Sequence, residues 1–117
     1  MQILYKNEKA RKQFSSEFRK KWRYPEQVKV KLLAAENYIL RADSLMDIVA
    51  YPPYHFEHLK GARKKEWSIR LGNTGYRVTL VPCDENGKEL VGGDILAHSK
   101  TIRVIEVTEV SNHYEYY

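Results

Sequence analysis

The chain has a single cysteine and no long apolar run, and each of these features excludes a class of protein. Cys83 is the only cysteine in 117 residues, so an intrachain disulfide is impossible and a reducing compartment is expected. No neighbour in sequence would lower the pKa of its thiol, which favours a partly buried strand residue over a nucleophile. No apolar run reaches the roughly 18 residues of a membrane span, and the opening residues lack the apolar core of a secretory signal. We therefore expect a cytoplasmic protein without a membrane partner.

Positive charge is present in excess and is unevenly distributed. The length suits one domain over residues 1–117, and the net charge is +5. Residues 1–42 hold 11 Lys and Arg against 4 Asp and Glu, and residues 59–77 hold 6 against 1. Residues 78–117 reverse the balance, with 3 against 7. This asymmetry indicates either a basic working face for a polyanionic partner or, more simply, solvated helix surface.

Two apolar stripes at helical spacing occupy the first third of the chain. Asn7 is a suitable N-cap for the first helix, and Pro25 suits the first turn of the second. The apolar positions of the first stripe are Ala10, Phe14, Phe18 and Trp22, which predict about four helical turns. Those of the second are Val28, Leu32, Ala35, Ile39 and Ala42. Together they predict a helical hairpin whose apolar faces turn toward a sheet.

Strand patterns dominate the second half. Residues 67–71 and 76–83 read as two strands joined by a turn at Gly72 to Gly75, and residues 102–110 are rich in β-branched side chains. A short opening strand is expected at residues 2–5. The predicted fold class is α+β, with an N-terminal helical hairpin packed on one face of a small antiparallel sheet and the other face uncovered.

The register of the predicted hairpin places two positive charges opposite each other. Pairing Trp67 with Leu80 and Ile69 with Val78 matches every apolar residue to another, but it sets Arg70 directly opposite Arg77. Like charges so placed are destabilising by several tenths of a kcal/mol. A bound phosphate would relieve the repulsion and accept hydrogen bonds from both guanidiniums. The alternative is that each arginine pairs with an acid on a neighbouring strand, such as Glu106 or Glu109.

Three segments resemble the HigB toxins of the RelE/ParE superfamily, which belong to type II toxin–antitoxin systems. They are Leu59 to Arg70 (LKGARKKEWSIR), Tyr76-Arg77-Val78, and the ending Asn112-His113-Tyr114. The resemblance implies a RelE-like fold and a ribosome-dependent endoribonuclease that enters the ribosomal A site and cleaves mRNA. It also implies a cognate helix-turn-helix antitoxin, HigA-like, as a partner.

The resemblance also implies which residues carry the chemistry. Metal-independent RNA cleavage needs a base, an acid and cations for the phosphorane charge. The implied catalytic residues are His113, His58, Tyr114, Arg70 and Arg77. The division of acid and base roles stays open, since His58 is one residue away from the family's histidine and Glu57 occupies the matching place. The basic run Lys60, Arg63, Lys64 and Lys65 is expected to bind RNA backbone.

Two other functions are compatible with the same sequence. One is a ParE-like toxin that acts on DNA gyrase without cutting RNA, and the other is a non-catalytic RNA-binding module. Convergence of His113 or His58 with Arg70 and Arg77 would favour the nuclease. No cofactor is implied, and His55 and His58 lack the further ligands that would make a metal site.

Overall fold

The computed structural model describes residues 1–112 of the chain and has an α+β fold. Its strands are β1 (Gln2–Tyr5), β2 (Glu57–His58), β3 (Trp67–Arg70), β4 (Tyr76–Cys83) and β5 (Val104–Asn112). Its α-helices are α1 (Glu8–Phe14), α2 (Glu26–Arg41) and α3 (Leu45–Val49). Short 3-10 helices lie at Ser16–Lys21, Pro52–Tyr54, Gly61–Arg63 and Ser99–Thr101.

The five strands form a single sheet in the order β1-β5-β4-β3-β2. Strands β2 to β5 pair antiparallel, but β1 runs parallel to β5, with Ile3 opposite Ile105. The sheet is therefore mixed, and the prediction of an antiparallel sheet is wrong at this edge. The reason is topological, because β1 and β5 are joined through the rest of the chain and no tight turn forces them to run in opposite directions.

The first helix is shorter than its apolar stripe predicts. Asn7 caps it as expected by accepting a hydrogen bond from the Ala10 amide, but the helix ends at Phe14. Ser15 takes an extended conformation and its hydroxyl accepts from the Glu17 amide, which starts a separate 3-10 helix. Serine competes for backbone hydrogen bonds in this way and favours caps over helix interiors.

The second helix follows its sequence pattern closely. Val28, Leu32, Ala35 and Ile39 are at most 1% exposed and pack with the apolar side of the sheet. This helical layer covers one face of the sheet, as predicted. Within residues 1–112, none of the helices has both the length and the apolar character that crossing a bilayer requires.

The β3–β4 hairpin has the register that its apolar pattern predicts. Trp67 pairs with Leu80, Ile69 with Val78, and Arg70 with Arg77. The chain turns through Gly72 and Gly75, whose φ angles of 60° and 84° suit glycine. The residues on the Ile69 side of the hairpin are buried in the core, and those on the Arg70 side form the opposite face of the sheet.

A β-bulge interrupts the pairing of β4 with β5. Thr79 lies opposite Glu109 and Leu80 lies opposite Val107, so the bulged strand carries one extra residue, Thr108. Because of the extra residue, Val107 and Val110 both point into the core although they are three positions apart and not two. The bulge thereby brings Thr108 and Glu109 together beside Thr79.

We expect Leu32→Ala to lower the free energy of unfolding by about 2–5 kcal/mol, because it leaves a cavity in a fully buried position. Val30→Ala in the same helix is the matched control, since Val30 is 58% exposed, and should change it by less than about 0.5 kcal/mol. Urea unfolding measures both. Equal effects of the two substitutions would contradict the assignment of the core face of α2.

Candidate functional site

The two arginines of the hairpin line one small hollow. The arginine hollow, about 210 Å³, lies at the turn end of the hairpin and is lined by Arg70, Gly72, Asn73, Gly75, Tyr76 and Arg77. Gly72 and Gly75 of the turn line it with their backbone alone. Two guanidiniums at one concavity can bind a phosphate with several charge-assisted hydrogen bonds.

The two arginines differ in exposure. Arg70 is exposed and has no ion-pair partner among residues 1–112, whereas Arg77 is only 8% exposed. A guanidinium nitrogen of Arg77 lies 3.9 Å from a carboxylate oxygen of Glu57. Glu57 pairs with Ser68 across β2 and β3, which sets its side chain on the arginine face of the sheet. One of the two arginines is thus held beside a carboxylate, and the other is available to solvent.

The arginine face is more covered than the sequence predicts. Ser68 and Thr79 at its centre are 1% and 0% exposed, and Arg77 is nearly buried. The Ser68 hydroxyl oxygen has no hydrogen-bond partner among the described residues. An unpaired buried hydroxyl costs about 1–3 kcal/mol, and such groups call for an explanation in a native structure. The accessible residues of this face described by the structure include Glu57 and Arg70, and the arginine hollow lies at its turn end.

Arg63 forms much of this cover. Its guanidinium donates to both carboxylate oxygens of Glu66, at 2.7 and 3.0 Å, and to Glu109 at 3.1 Å. Thr108 donates to Glu66 at 2.6 Å and shares a hydrogen bond with Thr79. Arg63, expected to bind RNA, therefore ties the segment before β3 to β5. Glu109, one of the acids that the sequence offers as a partner for Arg70 or Arg77, forms an ion pair with Arg63.

The other three basic residues of the run differ in whether they form an ion pair. Lys65 forms an ion pair with Glu89 at 3.0 Å. Lys60 and Lys64 are exposed, and neither forms an ion pair within the described part of the chain. Of the four cations predicted to bind RNA backbone, Lys60 and Lys64 are the two that are free of carboxylates.

His58 lies away from the arginines. It pairs with Trp67 across β2 and β3, and its ring stacks on the indole at 4.3 Å between ring centroids. Its Nε2 atom also hydrogen-bonds the carbonyl oxygen of Lys64. Paired residues of antiparallel strands point to the same side, so His58 shares the side of Trp67 and Glu57 takes the arginine face. The expected convergence of His58 with Arg70 and Arg77 is not present.

The two C-terminal catalytic candidates, His113 and Tyr114, lie outside the described residues. Strand β5 carries the chain as far as Asn112, which pairs with Tyr76 beside the arginine hollow. Their predicted roles stay predictions.

Cys83 is a structural residue, as expected. It is 1% exposed, and burial, reinforced by Glu106, Glu89 and Asp84, raises the pKa of its thiol to about 11. The thiol is therefore protonated at neutral pH and is a poor nucleophile. Among residues 1–112 no group of three or more His, Cys, Asp or Glu side chains is arranged to hold a metal ion.

The sequence gives only a weak signal for two features of the site, the bulge in β5 and the position of Glu57. The bulge that brings Thr108 and Glu109 to the arginine face is signalled only by the three-residue step from Val107 to Val110. The position of Glu57 depends on the register of a two-residue strand, which has too few side chains to show an alternating pattern.

Burial acts to raise the pKa of the Glu66 carboxyl, but the hydrogen bonds from Arg63 and Thr108 outweigh it and hold that pKa below its ordinary value. Glu66 therefore stabilises the fold above the pKa of the unfolded chain's carboxyl, and this contribution is lost as pH falls through the lower folded-state pKa.

We expect Glu66→Gln to destabilise the protein by about 1–3 kcal/mol at neutral pH, because it weakens charge-assisted hydrogen bonds. The deficit relative to wild type should shrink as the pH falls below the folded-state pKa of Glu66. Urea unfolding as a function of pH measures it, with the exposed Glu85→Gln as the control. A deficit that is independent of pH would contradict the ion-pair account.

No protein-family model matches the chain, and no curated protein matches its sequence. The resemblance to the HigB toxins therefore stays a prediction that depends on the three sequence segments.

Proposed function

We propose that the chain is a HigB-like toxin of the RelE/ParE superfamily, a ribosome-dependent endoribonuclease that cleaves mRNA in the cytoplasm. The observation that supports this most is the pairing of Arg70 with Arg77 at one hollow, in a segment whose sequence resembles the toxins. Two guanidiniums at one concavity match the negative charge of a phosphodiester. A HigA-like helix-turn-helix antitoxin would be its partner.

The proposed reaction needs no cofactor. The 2′-oxygen of a ribose attacks the adjacent phosphorus, the bond from phosphorus to the 5′-oxygen breaks, and the products are a 2′,3′-cyclic phosphate and a 5′-hydroxyl. A base takes the 2′-proton and an acid gives a proton to the leaving 5′-oxygen. Arg70 and Arg77 would stabilise the charge of the pentavalent phosphorane.

Glu57 is the described residue best placed to act as the base. Its carboxylate lies on the arginine face, 3.9 Å from Arg77, whereas His58 packs against Trp67 on the other side. His113 and Tyr114 are carried over from the resemblance, with His113 as the acid and Tyr114 stacking on a base or orienting the phosphate. Imidazole suits the acid role because it titrates near neutral pH.

Translation in a cell-free system followed by primer extension on the mRNA tests the proposal. Wild-type protein should produce new 5′ ends within translated message. Arg70→Ala should lower cleavage by about 10²–10³-fold, the usual effect of removing a group that stabilises transition-state charge, with little effect on stability because Arg70 is exposed. Glu57→Gln should also lower cleavage strongly.

The exposed Lys88→Ala is the control for a general loss of positive charge, and thermal melts verify that each variant is folded. Inhibition of translation without new cuts would contradict the nuclease and favour a non-catalytic RNA-binding module. Inhibition of gyrase supercoiling by the same preparation, without cuts, would favour a ParE-like toxin.

A further inference from the structure

A second concavity lies next to the arginine hollow and is richer in cations. The lysine groove, about 680 Å³, is bordered by Lys9, Lys12, Lys21, Arg23, Tyr24 and Tyr76. Helix α1, the 3-10 helix after it, the connection from there to α2 and the start of β4 supply these residues. Tyr76 also lines the arginine hollow, so the two concavities meet at its ring.

No carboxylate of residues 1–112 neutralises the cations of the groove. Lys9, Lys12, Lys21 and Arg23 are all exposed, and none forms an ion pair with a carboxylate of residues 1–112. The one acid at the groove, Glu8, is paired with Arg11 at 2.8 Å. Four uncompensated positive charges around one concavity raise the local concentration of a polyanion.

Two of the aromatic side chains that line the groove are held in place by hydrogen bonds within the protein. The Tyr24 hydroxyl donates to the carbonyl oxygen of Gln13 at 3.0 Å, and Trp22 Nε1 donates to that of Lys12 at 3.0 Å. Tyr24 packs edge to face on Tyr76, with ring centroids 5.7 Å apart. Fixed, partly exposed aromatic rings beside cations are the combination by which proteins bind single-stranded nucleic acid, with bases stacking and phosphates paired.

We propose that the lysine groove binds the backbone and one or more bases of single-stranded RNA that continues from the arginine hollow past Tyr76. The inference rests on the proposed function for the identity of the ligand, but it assigns a binding surface outside the reacting centre. Lys12, Lys21 and Arg23 contact phosphates, and the rings of Tyr24 and Tyr76 contact bases. Duplex RNA is disfavoured, because its stacked bases are not available to the tyrosine rings.

Fluorescence anisotropy with a short, fully 2′-O-methylated single-stranded RNA tests the inference, because this probe lacks the 2′-hydroxyl and cannot be cleaved by the proposed reaction. The triple variant Lys12→Ala, Lys21→Ala, Arg23→Ala should bind at least about tenfold more weakly at low salt, and the slope of log affinity against log salt should fall by about 2. Tyr24→Leu should weaken binding about fivefold or more without changing that slope.

The matched control removes the same charge elsewhere, in Lys88→Ala, Lys100→Ala, Arg103→Ala, whose side chains are exposed and outside the groove. It should change affinity by less than about threefold. Equal losses in both triple variants would overturn the inference, because they would show diffuse attraction without a groove. Binding of fluorescently labelled poly-glutamate at concentrations where the RNA probe does not bind would also overturn it and assign the groove to an acidic protein.

The two proposals fail differently. If wild-type protein cuts mRNA and the groove variant binds and cuts equally well, the groove inference is wrong and the nuclease stands. If the groove variant loses RNA binding but wild-type protein makes no cuts on ribosomes, the groove stands and the nuclease is wrong.

Discussion

The rest of the structure depends on the register of the β3–β4 hairpin. Burial of Trp67 against Leu80 and of Ile69 against Val78 allows only one alignment, since a slip of one residue would turn an arginine into the core. That alignment forces Arg70 and Arg77 to lie opposite each other on the other face. The core therefore imposes an electrostatic cost on the hairpin, and the Glu57 carboxylate near Arg77 offsets part of it.

The same constraint explains why the accessible site is small. The centre of the arginine face is closed by Arg63, which joins Glu66 to Glu109 over Thr79. A partly buried, bidentate ion pair of this kind is geometrically specific and holds the basic segment against the sheet. Among the described residues, the arginine hollow at the turn end is the concavity that both arginines line. The lysine groove adjoins this end and carries four exposed cations.

The sequence predicts the elements whose apolar period is unbroken. The hairpin register and α2 follow it because several buried residues agree on one alignment in each case. The first helix does not, since Phe18 continues the stripe but Ser15 offers a competing cap that a periodicity argument ignores. The parallel pairing of β1 is a contact between distant segments, and nothing local in residues 2–5 specifies its direction.

For the candidate site, as for the fold, the sequence predicts the features that depend on local alternation and not those that depend on distant segments. The opposition of Arg70 and Arg77 follows from local alternation, whereas the exchange of His58 for Glu57 on the arginine face depends on how the short β2 pairs. Glu109, one of the two carboxylate partners of Arg63, lies 46 positions along the chain and is brought close by a bulge. Ion-pair partners at such separations are set by tertiary packing, so the sequence could name Glu109 as a candidate partner of an arginine but could not identify Arg63 as that arginine.

Joint binding of a phosphodiester by Arg70 and Arg77 is tested most directly by thermal unfolding with a 2′-O-methylated dinucleotide at constant ionic strength. A ligand that binds only the folded state stabilises it by RT ln(1 + [L]/Kd), so Tm rises with the logarithm of ligand concentration once that concentration exceeds Kd. We expect this rise in Tm for wild-type protein and its loss in Arg70→Ala. An equal rise in both proteins, or none in wild type, would contradict it.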